Sequence, residues 1–224
     1  NLNRKRGGTM KIFKTLDIKP TNINLYYEAF SHTSYVNENP SLSSYERLEF
    51  LGDAILEFIV SEYLYKERHF EEGVMTKLRS NYVCEEALAT YAKDLDFGAD
   101  IKLGKGEESP NNTILADVFE AFIAALYLDK GIDYTKKLII NILIPYIEKD
   151  IKFIQDYKST LQELVQTSKK SVSYEIIDES GPSHNKHFIC QVRVDGIVMG
   201  IGSGSSKKHA EQEAAKVALS KQAK

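Results

Sequence analysis

The hydrophobic period of this chain changes once, near residue 155, and that switch limits what the chain can fold into. Residues 24–152 place apolar side chains three and four apart, the spacing of one face of an α-helix; the windows 45–66, 83–95, 113–128 and 134–153 predict helices. Breaks fall where helix-breaking residues gather: Asn37-Glu38-Asn39-Pro40, Glu72-Gly73, and the stretch from Gly104-Lys105-Gly106 to Ser109-Pro110-Asn111-Asn112. Beyond the switch, residues 159–169 read as helix, 173–177, 188–194 and 197–203 alternate as strands, and 207–222 return to helix. Gly181-Pro182-Ser183-His184 and Asp195-Gly196 mark the turns, the second a strong two-residue hairpin signal. The expectation is a multidomain chain, all-α first and then a small α-β-β-β-α (α+β) unit. A length of 224 residues suffices for both.

Charge follows the same division. Residues 157–224 carry ten Lys/Arg against seven Asp/Glu, a net of +3, which leaves 19 against 25, a net of −6, for residues 1–156. An acidic front and a basic rear suggest different tasks, the rear one near a polyanion. The longest apolar stretch, residues 138–144, is interrupted by Asn141 and stopped by Pro145. That is far short of the roughly 20 residues that span a bilayer, so no membrane partner is expected. Cys84 and Cys190 lie far apart in apolar surroundings, which reads as a reducing, intracellular compartment and no Cys-based metal site. The basic start has no apolar stretch after it and is no secretory signal. Met10 is a candidate native start, which would make the first nine residues a cloning remnant.

Two segments carry the chemistry. In Tyr45-Glu46-Arg47-Leu48-Glu49-Phe50-Leu51-Gly52-Asp53-Ala54-Ile55-Leu56, the acids Glu46, Glu49 and Asp53 fall within about 60° on a helical wheel. Apolar residues take most of the remaining circumference, the pattern of a buried helix. In Thr113-Ile114-Leu115-Ala116-Asp117-Val118-Phe119-Glu120-Ala121-Phe122, Asp117 and Glu120 share a face that Ala121 and Ala124 flank, small enough for close approach of a helix or ligand. Spacing alone leaves two readings: solvated faces of amphipathic helices, or an all-oxygen site for a hard divalent cation such as Mg²⁺. Carboxylates crowded on buried helices need a cation to offset repulsion and desolvation, and the wide apolar surface of both helices favours the metal site.

The run Glu46-Arg47-Leu48-Glu49-Phe50-Leu51-Gly52-Asp53-Ala54 resembles the signature motif of the ribonuclease III family, residue for residue. So does its context: His32-Thr33-Ser34-Tyr35, Glu72-Gly73, Leu78-Arg79, Leu103-Gly104-Lys105-Gly106-Glu107, Leu115-Ala116-Asp117-Val118-Phe119-Glu120-Ala121 and Tyr127-Leu128-Asp129. In the rear, Asp156-Tyr157-Lys158-Ser159-Thr160-Leu161-Gln162-Glu163, Gly181-Pro182-Ser183-His184 and Ser205-Ser206-Lys207-Lys208-His209-Ala210-Glu211-Gln212 resemble a double-stranded RNA-binding domain. The chain departs from the family between Glu107 and Ile114, where a longer loop with a Gly-Gly-Arg-like element is usual.

The resemblance implies an N-terminal extension over residues 1–11, an endonuclease domain over 12–153 and an RNA-binding domain over 154–224. It implies metal ligands at Glu49, Asp117 and Glu120, and active-site carboxylates at Asp53 and Glu120. It places Glu46 at the dimer and cleft, and Glu72 nearer the substrate. Mg²⁺ is the implied cofactor, with Mn²⁺ able to substitute, and the implied assembly is a cytoplasmic homodimer. The expected activity is hydrolysis of double-stranded RNA to 5′-phosphate and 3′-hydroxyl ends with a short 3′ overhang, in RNA processing. The alternative is a protein that binds double-stranded RNA without cutting it. Within the rear domain, Lys207 and Lys208 open a helix whose dipole attracts phosphate, and Gln162 and Gln166 offer uncharged partners to 2′-hydroxyls. His184 sits on a loop that reaches a second minor groove. Each alone also reads as an ordinary surface residue; together, in this order, they favour RNA.

Overall fold

The computed structural model describes residues 10–67, 69–154, 156–182 and 186–222. It divides into two units after Ile154. Residues 1–9 of the extension expected over 1–11, and the expected RNA contact at His184, lie outside the described residues; Met10 is buried and Lys11 opens the first helix.

In the first unit α1 (Lys11–Thr15), α2 (Ile23–Ala29) and α3 (Thr33–Glu38) lead into the long α4 (Glu46–Glu67). Then come α5 (Glu72–Val83), α6 (Glu85–Asp94), a 3-10 turn (Phe97–Ala99), α7 (Asn112–Lys130) and α8 (Ile132–Glu148). α7 is the hub. Eleven of its residues from Ile114 to Leu126 are buried, on every side of the helix, and α4 packs along it. The expectation of a second helix buried all round fails for α4. Its inner side, with Leu48, Leu56, Ile59 and Val60, is buried, but Phe50 is 83% exposed, Phe58 50% and Tyr65 74%. The wide apolar surface read from the sequence includes a face that this chain does not cover.

Three of the boundaries that differ from the sequence reading have a local cause. Glu72-Gly73 is the first turn of α5 rather than a break, since glycine costs little in a turn whose amides lack intrahelical partners. The helix expected over 83–95 begins at Glu85, because Cys84 has extended backbone (ψ 160°) and separates α5 from α6. The helix expected over 134–153 stops at Glu148, and Asp150 is left-handed (φ 51°). Asn81 then ties the following residues down: its amide donates to the Ile151 carbonyl at 2.8 Å, and its oxygen accepts from Phe153 and Ile154 N–H at 2.8 and 3.1 Å.

The second unit runs α9 (Tyr157–Thr167), β1 (Val172–Ser180), β2 (His187–Val194), β3 (Ile197–Gly204) and α10 (Lys207–Gln222), with an antiparallel sheet ordered β1-β2-β3. Asp195 (φ 49°) and Gly196 (φ 80°) make the tight turn the dipeptide announces. The glycines of β3 explain how the helix reaches the sheet. A Cβ on Gly200 would lie 2.2 Å from the Ala214 carbonyl oxygen, and one on Gly202 2.1 Å from the Ala214 nitrogen. Bare backbone on β3 meets the alanine stripe Ala210, Ala214 and Ala218 of α10, and both sit in the core with Leu161, Val165 and Val192.

Candidate active site and RNA-binding surface

α4 crosses α7 closely at Gly52, where a Cβ would stand 1.8 Å from the Glu120 carbonyl oxygen. No side chain fits there, so the two helices meet backbone to backbone. Glu49 and Asp53, one turn before and one residue after Gly52, are thereby set beside Asp117 and Glu120. All four expected carboxylates converge electrostatically. Burial first, then Asp53, Glu49, Asp117 and Glu57, pushes the Glu120 carboxyl up to about 8. Burial, Asp117, Glu46 and Asp53 likewise raise Glu49. Burial raises Asp117 too, against a hydrogen bond from the Tyr45 hydroxyl at 3.1 Å. Burial and all four of these acids disfavour the charge on Glu120.

This donor set fits a hard divalent cation: oxygen ligands only, from two rigid helices, with uncompensated negative charge. Among the described residues no three His, Cys, Asp or Glu side chains stand together as a closed ligand set. The loop over residues 103–107 is fastened beside the site. Gly104 N–H donates to the Ser34 hydroxyl at 2.9 Å, and His32 Nδ1 lies 2.8 Å from that hydroxyl and 3.3 Å from Glu107.

The other expected acids make hydrogen bonds of their own. Glu46 is exposed and accepts from the Ser44 hydroxyl at 2.9 Å; Glu72 is exposed and accepts from the Thr76 hydroxyl at 2.9 Å. Asp129 is structural. Its carboxylate accepts from Asn22 N–H at 2.6 Å, Thr21 N–H at 3.0 Å and the Tyr26 hydroxyl at 3.0 Å, anchoring the start of α2. Burial alone would raise its pKa, but these donors and Lys130 hold it below the usual carboxylate range. Sequence reasoning missed three residues: Gly52 as the crossing point, Glu57 as a fourth acid acting on Glu120, and Tyr45 as partner of Asp117. Glu57 was legible, one further turn along the stripe from Asp53.

In the second unit Lys207 and Lys208 are exposed at the start of α10, where the Ser206 hydroxyl accepts from His209 N–H at 3.2 Å. Lys207 Nζ stands 3.9 Å from Glu179, which also pairs with Lys186. On α9, Gln166 is exposed and Gln162 half-buried. The Gln212 side chain joins this helix to α10, accepting from Lys158 N–H at 3.1 Å and donating to Asp156 at 3.0 Å.

The sequence of the first unit matches the family model described as Ribonuclease-III-like over residues 22–147. The chain belongs to the ribonuclease III family. The second unit matches the double-stranded RNA binding motif over residues 157–222, which completes the domain order of a ribonuclease III. Ribonuclease 3 of Onion yellows phytoplasma is 46% identical over 217 residues, 95% of this chain and 91% of that one. Ribonuclease 3 of Streptococcus gordonii is 50% identical over 209 residues, 89% and 90% of the two chains. Among solved structures, the nuclease domain of ribonuclease III from Campylobacter jejuni matches with a TM-score of 0.57 and 32% identity, covering 61% of this chain and 96% of that one.

Proposed function

We propose that this ribonuclease III cuts double-stranded RNA at Glu49, Asp53, Asp117 and Glu120, with residues 12–153 as the nuclease and 154–224 as the RNA-binding domain. Glu49, Asp117 and Glu120 hold the divalent cation that this nuclease class requires, and Mg²⁺ is the ion we assign, with Mn²⁺ as a substitute. When bound, the ion supplies the Lewis acidity that activates water and stabilises the departing 3′-oxygen. The residues do the rest. Asp53 and Glu120 face the scissile phosphodiester and orient the water for in-line attack, leaving 5′-phosphate and 3′-hydroxyl ends. The burial that raises Glu120 also strengthens its interaction with a cation, because the surroundings screen charge less than water does. Lys207 and Lys208 meet phosphates, and Gln162 and Gln166 meet 2′-hydroxyls.

One observation carries the site assignment: Glu49 and Asp53 on α4 act on Asp117 and Glu120 on α7 across a crossing too close for any side chain at Gly52, and burial and four neighbouring acids all disfavour the charge on Glu120. A non-cleaving binder has no use for so costly a cluster. The exposed Phe50, Phe58 and Tyr65 on the signature helix support a homodimer through α4. The Campylobacter jejuni nuclease domain is itself described with a region involved in dimer formation. Among the described residues no helix is long and apolar enough to cross a membrane, and we assign the protein to the cytoplasm. The test is incubation of one perfectly paired RNA duplex with Mg²⁺ and, separately, with EDTA. Cleavage only with Mg²⁺, leaving 5′-phosphates, supports the reading; an intact duplex in both overturns it.

A further inference from the structure

We infer that Tyr45 is a positioning residue, whose hydroxyl holds Asp117 in the orientation that receives the metal. The inference rests on the assignment of Asp117 as a ligand. Tyr45 is 4% exposed and stands immediately before α4. Its carbonyl accepts the first amides of that helix, from Leu48 at 2.8 Å and Glu49 at 2.9 Å, and its own N–H donates to the Ser31 carbonyl at 3.1 Å. Its ring packs against His32, centroids 5.7 Å apart. Thus fixed, its hydroxyl donates to Asp117 Oδ2 at 3.1 Å, across 72 residues of sequence. One residue therefore starts the helix that carries Glu49 and Asp53 and restrains the acid opposite them.

Burial of an aromatic ring here needs no hydroxyl; phenylalanine would fill the same volume. The hydroxyl has a specific electrostatic task. Asp117 on α7 lies across the Gly52 crossing from the acids of α4 that must share the ion with it, and like charges at such a site repel. The terminal torsion of an aspartate is soft, so an unrestrained carboxylate would turn away from its neighbours. A hydroxyl bound to Oδ2 stops that rotation and leaves Oδ1 available to a cation. Outer partners of metal-ligating carboxylates typically account for roughly 10–100-fold in metal affinity.

The experiment measures Mn²⁺ binding by calorimetry to RNA-free full-length protein, for the parent, Tyr45→Phe, Asp117→Asn and the double variant, well below each melting midpoint. Tyr45→Phe should bind Mn²⁺ roughly 10-fold more weakly. The Mg²⁺ needed for half-maximal cleavage should rise by a similar factor, while KM for RNA at saturating Mg²⁺ stays unchanged. In the Asp117→Asn background Tyr45→Phe should add nothing, because the two act as one unit. Parental Mn²⁺ affinity in Tyr45→Phe, alongside a loss in Asp117→Asn, overturns the inference and leaves the site assignment standing. Parental affinity in Asp117→Asn overturns both. An equal loss from Tyr45→Phe in either background places its effect elsewhere and also overturns the inference.

Discussion

Replacing Gly52 with alanine puts one methyl group where there is no room. The added Cβ would lie 1.8 Å from the Glu120 carbonyl oxygen and 2.5 Å from its carbonyl carbon. The obstacle is backbone inside α7, so no rotamer change relieves it, and α4 must move outward by more than 1 Å to restore contact distance. Overpacking of this kind costs about 3 kcal/mol, at the upper end of the usual range because the partner cannot give. Alanine recovers about 1 kcal/mol through its better helix propensity, so the net loss is about 2 kcal/mol. For a chain of this size that lowers the melting midpoint by roughly 4–8 °C. The catalytic effect should exceed the thermal one. Glu49 and Asp53 ride on α4 and Glu120 on α7, so the same movement separates the carboxylates, and a misplacement near 1 Å can cost about 100-fold in rate. Calorimetric melting and a cleavage time course in Mg²⁺ check both. A melting midpoint and rate equal to the parent's would refute the claim that this crossing builds the site.

Metal-free protein should lose stability as pH rises from about 4.5 to about 8. The Glu120 carboxyl keeps its proton in the fold after it has ionised in the unfolded chain, so stability is fully present below the unfolded value and the penalty is complete above the folded one. Melting in EDTA at several pH values should show the fall, smaller in Glu120→Gln; parallel curves would refute it. Lys207→Ala with Lys208→Ala should weaken RNA binding regardless of sequence and reduce the salt slope by about one for each lost phosphate contact. An unchanged slope would mean these lysines do not touch the RNA backbone. Phe50→Asp should convert a dimer to a monomer at micromolar concentration by light scattering, since it places a charge in the apolar face of α4; a persistent dimer would put the interface elsewhere.

Much of this architecture was legible because local rules and the final fold agree. α7 is apolar around most of its circumference and is buried there, and Asp195-Gly196 closes the hairpin its dipeptide announces. The acid spacing on both helices was readable. Other features depend on contacts between distant segments. The Tyr45–Asp117 hydrogen bond spans 72 residues, and Asp129 caps a helix more than a hundred residues before it. Neither has a local signature. The break at Cys84 carries no glycine or proline to mark it. α4 misled for a different reason: its outer face is apolar in sequence yet exposed in this chain, because periodicity reports that a surface must be covered and not what covers it.

The central claim is that cutting and holding RNA are separate tasks, with the carboxylate cluster serving the first. Glu120→Gln tests it most directly. The change keeps size and shape but removes one negative charge and one ligand, and each 1.36 kcal/mol lost from transition-state stabilisation is tenfold in rate. Gel shift and cleavage are followed on one duplex in Mg²⁺, for the parent and the variant. The account predicts unchanged or slightly tighter RNA binding with cleavage slower by roughly 100-fold or more. Cleavage near the parental rate would contradict it.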